Sequence, residues 1–194
     1  MFEDITVPDG GFKCIVADPP WKYGAWGKSS GRGCRAGTFK PEIDVPMPLP
    51  YQSMSVEEIC NLPVSKLTGN NCEVYLWTTQ KYLRHAFDVI DAWKLKYCAT
   101  LAWCKAPRGT GQGGLYCPTT EFLLLGRTGK QPIGKKRKDS TWWNVKRHRN
   151  MHSHKPEFFQ DLIETVSDTP RLELFARRKR EGWTCWGNEI GEDQ

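Results

Sequence analysis

One apolar run near the start of the chain ends abruptly in a carboxylate and two prolines. The run, Phe12–Ala17, is followed at once by Asp18-Pro19-Pro20. A compact apolar run of this length is typical of a buried strand, and the prolines end it because proline has no N–H to donate to a neighbouring strand. The sequence therefore predicts a buried strand whose carboxyl end carries a carboxylate.

Further apolar runs predict several strands with helices between them. Glu73–Thr79 and Tyr97–Trp103 predict strands, and Lys81–Trp93 has apolar residues at helical spacing. This order implies a right-handed crossover between parallel strands. The other predicted elements are a short helix capped by Ser55 and Glu58, a helix from Pro156 to about Val166, and strands at Thr119–Gly126, Arg171–Ala176 and Trp183–Trp186. We predict one α/β domain over residues 1–194, with a doubly wound, mostly parallel sheet and ligands at the carboxyl ends of its strands.

Composition narrows the class of protein. Of the 194 residues, 39% are hydrophobic, which is enough for a core and excludes disorder as the main state. Apolar stretches are far shorter than the roughly 20 residues that cross a bilayer, and no leader opens the chain, so we expect a soluble, non-secreted, cytoplasmic protein. The eight cysteines are dispersed and form no Cys-x-x-Cys pair, which predicts reduced core thiols and no metal site.

The net charge of +6 is concentrated in one segment. Between Arg127 and Arg149 the chain has nine basic residues and one acidic residue. Cations mixed with flat rings are typical of a nucleic-acid groove, although a solvated loop is the alternative. The residues that we predict to contact nucleic acid here are Lys135, Lys136, Arg137, Lys138, Trp142, Arg147 and Arg149.

The sequence Asp18-Pro19-Pro20-Trp21 offers hydrogen-bond acceptors beside a flat ring. Neither proline has an N–H, so we expect the loop to present carbonyl oxygens and one carboxylate without competing donors. Such a site suits a planar amine, because two acceptors pulling on its hydrogens favour a pyramidal nitrogen with its lone pair free for attack. The alternative is that Trp21 is an ordinary core aromatic.

These four residues resemble the DPPW motif of adenine amino-methyltransferases, the family of the eukaryotic mRNA-adenosine methyltransferase and its bacterial and phage relatives. Four further segments are similar to family motifs in the same order: Pro50–Ser55, Ser153–Pro156, Leu172–Arg177 and Trp186–Glu189. The resemblance spans nearly the whole chain. It implies a Rossmann-like, class I methyltransferase domain that uses S-adenosylmethionine.

The resemblance also implies roles for individual residues. Asp18, Pro19, Pro20 and Trp21 would form the catalytic loop, in which Asp18 and the Pro19 carbonyl accept from the 6-amino group of adenine and Trp21 stacks on or supports the base. Tyr51 would help to line the adenine pocket. The residues implied to bind the cofactor are Asp4, Ile5, Asp18, Lys155, Glu173, Phe175, Arg177, Asn188 and Glu189. Two departures from the family are Arg178-Lys179-Arg180, which replaces Pro-His-Asn, and Ala176, which replaces glycine.

The resemblance leaves several functions open. We expect methylation of adenine in DNA by a bacterial or phage enzyme, with the same reaction on RNA as the alternative. The target base would have to be single-stranded or flipped, because a stacked base cannot reach such a pocket. An inactive nucleic-acid-binding scaffold and methylation of a protein glutamine are further alternatives, which the intact Asp18 and Trp21 disfavour. A homodimer would supply additional contact surface for a duplex.

Overall fold

A computed structural model describes residues 2–22, 53–106, 116, 118–130, 137–146, 155–188 and 190. These residues form seven strands and three α-helices, with a short 3-10 helix at Val64–Lys66. The strands are β1 (Phe12–Ala17), β2 (Thr68–Thr79), β3 (Lys96–Ala106), β4 (Thr120–Arg127), β5 (Trp142–Lys146), β6 (Arg171–Leu174) and β7 (Trp183–Trp186). The helices are α1 (Val56–Cys60), α2 (Leu83–Ala92) and α3 (Glu157–Glu164).

The strands form one sheet in the order β5-β3-β4-β2-β1-β6-β7. Among these strands only β4 runs antiparallel to its neighbours, so the predicted mostly parallel sheet is confirmed. β2 and β3 run in the same direction, as the strand–helix–strand pattern predicts. They are not neighbours, however, because β4 turns back from β3 and pairs with both of them.

Both faces of the sheet are covered, because its strands alternate side chains between two apolar clusters. Ile15, Ala17 and Leu76 point to the face that carries α1 and α2, whereas Val16 and Trp77 point to the face that carries α3. Cys14 and Cys72 are buried free thiols. No helix in the described part of the chain is long and apolar enough to cross a membrane.

Most predicted elements are present, with shifted ends. Ser55 and Glu58 form the predicted capping box of α1. Pro156 precedes α3 as its N-cap residue, whereas we predicted it at the first helical position. β2 begins at Thr68 rather than Glu73. The strand β5 was not predicted, because the basic segment around it suggests a loop and only its pairing with β3 makes it a strand.

The connections place β1 at a topological switch point. From β1 the chain crosses to β2 on one side, and it later returns to pair β6 with the other side of β1. Ligands of open α/β sheets bind in the crevice at such points, beyond the carboxyl ends of the strands. Asp18 follows β1 directly, and Phe175 and Arg177 follow β6. The fold therefore brings the predicted catalytic loop and part of the predicted cofactor site to the same crevice.

Candidate functional site

The backbone of the loop after β1 is held by hydrogen bonds on both sides. Trp21 N donates to Pro19 O at 2.9 Å, and Met54 N donates to Pro20 O at 2.7 Å. Lys22 N in turn donates to Met54 O at 2.9 Å. The loop and the Pro50–Ser55 motif, which are distant in sequence, are thus joined as a short parallel bridge at Trp21 and Met54.

These contacts correct one expectation about the loop. We expected its carbonyl oxygens to have no competing donors, but the backbone N–H groups of Trp21 and Met54 already bond to Pro19 O and Pro20 O. A carbonyl oxygen has two lone pairs, so each can accept one further hydrogen. The proline carbonyls are therefore rigidly oriented acceptors with one remaining lone pair.

Trp21 is a core residue. Its side chain is 4% exposed, its ring stacks on Tyr82 at 5.1 Å, and its Nε1 donates to Trp77 O at 3.0 Å. The resemblance implies that this ring either stacks on the base or supports it, and its burial against Tyr82 favours support over stacking. Trp21 supports the loop from beneath and fixes the direction in which the acceptors point.

Four charged side chains form a network at the mouth of the crevice. Lys155 Nζ lies 2.8 and 2.7 Å from the two carboxylate oxygens of Asp18, and 3.4 Å from Glu121 Oε2. Lys105 donates to the other carboxylate oxygen of Glu121. Each of these four side chains is at most 20% exposed. Glu121 Oε2 is buried and accepts no hydrogen bond from the described residues.

The network sets the charge states of its members. Burial alone would raise the pKa of Glu121, but Lys155 and Lys105 outweigh burial and hold that pKa below its ordinary value. Burial alone would lower the pKa of Lys155, but Asp18 and Glu121 hold it above its ordinary value. The lowered pKa of Glu121 and the raised pKa of Lys155 both favour the charged forms of this pair at neutral pH.

Glu121 was not predicted as a site residue. It stands near the amino end of β4, and because β4 is antiparallel, that end lies beside the carboxyl ends of the parallel strands. A lone carboxylate among the apolar residues of this strand was the available signal. The direction of the strand, which decides whether the carboxylate reaches the site, depends on long-range pairing that the sequence pattern does not specify.

A second set of contacts surrounds Glu173. Gln160 is 8% exposed; its Nε2 donates to Glu173 Oε2 at 2.6 Å, and its Oε1 accepts from Arg178 Nη2 at 3.1 Å. Burial raises the pKa of Glu173, which the hydrogen bond from Gln160 partly offsets. Arg178, where the sequence departs from the family, thus contacts α3 through Gln160 and through an ion pair with Glu157.

The backbone is unusual at one point after β6 and at one point after β7. Phe175 has a φ of +63°, a left-handed conformation that costs a residue with a Cβ about 1–2 kcal/mol. A Cβ on Gly187 would lie 2.1 Å from Ala176 O, so only glycine fits there. Strain of this kind is concentrated at functional sites, where surrounding structure maintains it. The strained residue is among those predicted to bind the cofactor.

Two cavities meet at Asp18, Phe175 and Arg177, which line both of them. The larger is a cleft of about 430 Å³, within the usual range for small-molecule sites, and its walls include the predicted residues Pro20 and Asn188. The smaller contains the predicted residues Lys155 and Glu173. The structure therefore brings together Asp18, Pro20, Lys155, Glu173, Phe175, Arg177 and Asn188.

Other predicted residues are placed elsewhere. Ile5 is 7% exposed and belongs to the core, and Asp4 is exposed, so neither side chain lines a cavity. Arg137, Lys138 and Trp142 are exposed at the β5 edge of the sheet, away from the crevice. The predicted residues Tyr51, Lys135, Lys136, Arg147, Arg149 and Glu189 lie outside the described residues.

Comparison with known proteins identifies the family of the chain. The chain is similar to the Type II methyltransferase M.MunI of a Mycoplasma species, with 29% identity over 97% of this chain and 82% of that protein. It is also similar to the human N(6)-adenine-specific methyltransferase METTL4 (30% identity, 92% of this chain, 37% of that protein). A third relative is the N6-methyladenosine RNA methyltransferase MTA1 of Pyricularia oryzae (25% identity, 92% of this chain, 47% of that protein). The MT-A70 family model matches residues 12–189, and the chain is therefore a methyltransferase of the MT-A70 family.

Proposed function

We propose that this chain transfers a methyl group from S-adenosylmethionine to the exocyclic 6-amino group of adenine in DNA. The observation that carries the proposal is the position of Asp18, whose carboxylate lies where two cavities meet at the topological switch point. Methyl transfer requires the methyl donor and the adenine to meet, and it requires a hydrogen-bond acceptor beside the amine nitrogen that reacts. The family membership and the adenine-specific relatives support the same chemistry.

The cavity walls fit the chemical groups of the cofactor. When bound, S-adenosylmethionine supplies a methyl group activated by a positively charged sulfur. The carboxylates of Asp18 and Glu173 suit its positive charges, and the Arg177 guanidinium suits its carboxylate. Asn188 suits ribose hydroxyls, and Phe175 and Trp186 offer apolar ring surface for its adenine. We assign Lys155 to holding Asp18 in place, because it bonds to both oxygens of that carboxylate.

The residues around Asp18 suit activation of a planar amine. We assign Asp18 and the free lone pair of Pro19 O as acceptors for the two amine hydrogens, with the buried Glu121 Oε2 as a nearby third acceptor. The nitrogen forms a bond to the methyl carbon as the carbon–sulfur bond breaks, and it then loses one proton, which we assign to Asp18. Positioning alone is worth roughly 7–11 kcal/mol in such reactions, and a fixed carboxylate stabilises the positive charge that develops on nitrogen.

DNA is the first candidate substrate. The chain corresponds to most of the type II methyltransferase, for which a DNA substrate fits, whereas it corresponds to less than half of the METTL4 and MTA1 relatives. RNA is the second candidate because one relative is named for RNA. A bacterial DNA methyltransferase works in the cytoplasm, and we infer that compartment and a single catalytic domain over residues 1–194. We also infer a homodimer on DNA, which size-exclusion chromatography with and without a duplex would test.

Labelled methyl transfer tests the proposal. The chain is incubated with labelled S-adenosylmethionine and matched DNA and RNA pools, each single- and double-stranded, and the products are digested to nucleosides. Label in 6-methyl-deoxyadenosine is the expected result. Label only in the ribonucleoside would replace DNA by RNA, and cofactor binding without transfer to any pool would overturn the proposed reaction.

A further inference from the structure

One side of the edge strand β5 faces solvent. Trp142, Asn144 and Lys146 are exposed, whereas Trp143 and Val145 between them are half-buried against the core. We call the exposed set Trp142, Asn144 and Lys146 the β5 outer face. The Trp142 side chain is 61% exposed, which is unusual for so large an aromatic residue on a strand.

The strand that carries this face is firmly held. The Trp143 ring packs 6.1 Å from Phe158 and 6.0 Å from Phe159 of α3, and Trp103 Nε1 donates to Val145 O at 2.8 Å. Trp142 is therefore presented by a fixed strand, and its ring needs little ordering when a ligand binds.

The backbone of Trp142 is already satisfied. Ser140 Oγ accepts from Trp142 N at 3.1 Å and donates to Trp142 O at 2.7 Å. An exposed edge strand normally invites a further strand through its unpaired backbone groups. Because Ser140 occupies those groups at Trp142, this part of the edge favours a ligand that contacts side chains over a protein that adds a strand.

The charges beside the ring identify the kind of ligand. Arg137 and Lys138 are exposed just before β5, and Lys146 is exposed at its end, with Asp139 as the only acid between them. A flat aromatic face flanked by cations is how proteins bind single-stranded nucleic acid, by stacking on bases and neutralising phosphates. A duplex keeps its bases stacked on one another and offers only its phosphates to such a surface.

Strand register places the β5 outer face at the same edge of the sheet as the catalytic loop. Trp142 pairs with Ala102, which pairs with Phe122, which pairs with Thr78 near the carboxyl end of β2. β5 and β1 are four strand positions apart, or about 19 Å at a spacing of about 4.8 Å. That span corresponds to about six nucleotides at the stacked rise of about 3.4 Å, and to fewer if the strand is extended.

From these observations we infer that Trp142 stacks on a base of the single-stranded segment that flanks the target adenine, some three to six nucleotides away. The inference rests on the proposed function for its substrate. The two adjacent tryptophans then have different roles. Trp142 contacts nucleic acid, whereas Trp143 packs β5 against α3. The inference also makes recognition of single-stranded flanks a property of the domain itself.

Oligonucleotide length tests the inference. Single-stranded DNAs with one adenine and pyrimidine flanks of one to ten nucleotides on either side are compared for binding by fluorescence anisotropy and for methylation. For the wild-type chain the affinity should rise steeply once the flank on one side reaches three to six nucleotides. Trp142→Ala should abolish that rise, a loss of roughly 5- to 150-fold for long oligonucleotides, and Trp142→Phe should retain most of it.

A matched control and the contrary outcomes complete the test. Tyr97→Ala removes another exposed aromatic residue, at the opposite end of the sheet, and should leave the length dependence unchanged. The inference is overturned if Trp142→Ala binds long oligonucleotides within twofold of wild type, if Tyr97→Ala matches its loss, or if the loss is equal for duplexes of the same length. Binding is measured without turnover, so a failure to methylate DNA would count against the proposed function alone.

Discussion

Trp21 and Trp142 are the same residue type in opposite settings. Trp21 is 4% exposed, stacked on Tyr82 and bonded to the backbone of β2, whereas Trp142 is 61% exposed on an edge strand. The loop after β1 is thus supported by an almost fully buried aromatic ring, whereas the β5 outer face presents its aromatic ring to solvent. The difference shows that one residue type can hold a loop in place at one position and face solvent at another, depending on its burial.

The largest expected effect is the difference in stability between the Trp21→Ala and Trp142→Ala variants. Trp21→Ala should lower the free energy of unfolding by about 3–5 kcal/mol, because it leaves a cavity in the core and an unpaired Trp77 carbonyl. Trp142→Ala should change it by less than about 0.5 kcal/mol, as exposed substitutions do. Urea denaturation of both variants measures the contrast. Similar losses for the two would mean that Trp142 is a packing residue.

Asp18→Asn tests whether the carboxylate on the loop that Trp21 supports takes part in methyl transfer. The change keeps the shape of the side chain but removes the carboxylate, so we expect kcat to fall by about 100- to 1000-fold, the usual cost of losing one oriented electrostatic group. Circular dichroism should show an unchanged fold. Retained turnover would move the reacting centre away from the β1 crevice.

Glu121→Gln tests whether the charge network stabilises the site. We expect a loss of about 2 kcal/mol near pH 7, because Lys105 and Lys155 lose a buried partner. Glu121 has a lowered pKa in the folded chain, so its contribution is present above its ordinary pKa of 4.5 and is lost as the pH falls through the folded value. Lys155 has a raised pKa, so its contribution is present below 10.5 and is lost at higher pH.

Unfolding curves recorded from acid to alkaline pH measure the pH range over which the charges of Glu121 and Lys155 stabilise the folded chain. The difference in the free energy of unfolding between wild type and Glu121→Gln should be greatest between pH 4.5 and 10.5, and it should shrink below pH 4.5. A difference that stayed constant into acid would show that Glu121 acts through packing and not through its charge.

Gln160→Leu tests whether Gln160 orients Glu173 for the cofactor. We expect cofactor binding to weaken by about tenfold, because the Glu173 carboxylate loses the hydrogen bond from Gln160, and hydrogen bonds to charged groups are stronger than those between neutral groups. That bond lowers the pKa of Glu173, so its removal should raise this pKa and move the acid limit of cofactor binding to higher pH. Calorimetric titration with S-adenosylmethionine measures both effects. Asp161→Asn is the control, since Asp161 lies on the same helix as Gln160, pairs with Arg180 of the loop before β7, and lines neither cavity. An equal loss in both variants would indicate a general effect on α3.

The smallest effect is expected from the cations beside the β5 outer face. Replacing Arg137 and Lys138 together by Ala should lower the dependence of log affinity on log salt by about 1.4 for single-stranded DNA, because each phosphate contact contributes about 0.7. Affinity at several salt concentrations measures the slope. An unchanged slope would place the phosphate contacts on other residues of the basic segment.

The sequence alone predicted the frame of the molecule. The apolar runs and caps identified β1, β2, β3, β4, β6, β7 and all three helices, because burial and capping leave a local pattern in the residues. The motif after β1 also predicted a site at the carboxyl end of this strand, and the structure places Asp18, Phe175 and Arg177 around the same cavities there. The strand β5 was missed because its alternation is short and it lies within a basic segment, so its pairing with β3 left no distinct local signal.

The tertiary structure decided what each site residue touches. Residue types alone could not show that Trp21 is buried, that Glu121 arrives from an antiparallel strand beside Lys155, or that Gln160 links Glu173 to Arg178. Burial, charge pairing and strand direction arise from contacts between residues far apart in the chain, whereas motifs and periodicity report only neighbours. The sequence therefore determined which chemical groups are present and roughly where, and the fold determined which of them line the cavities and which hold others in place.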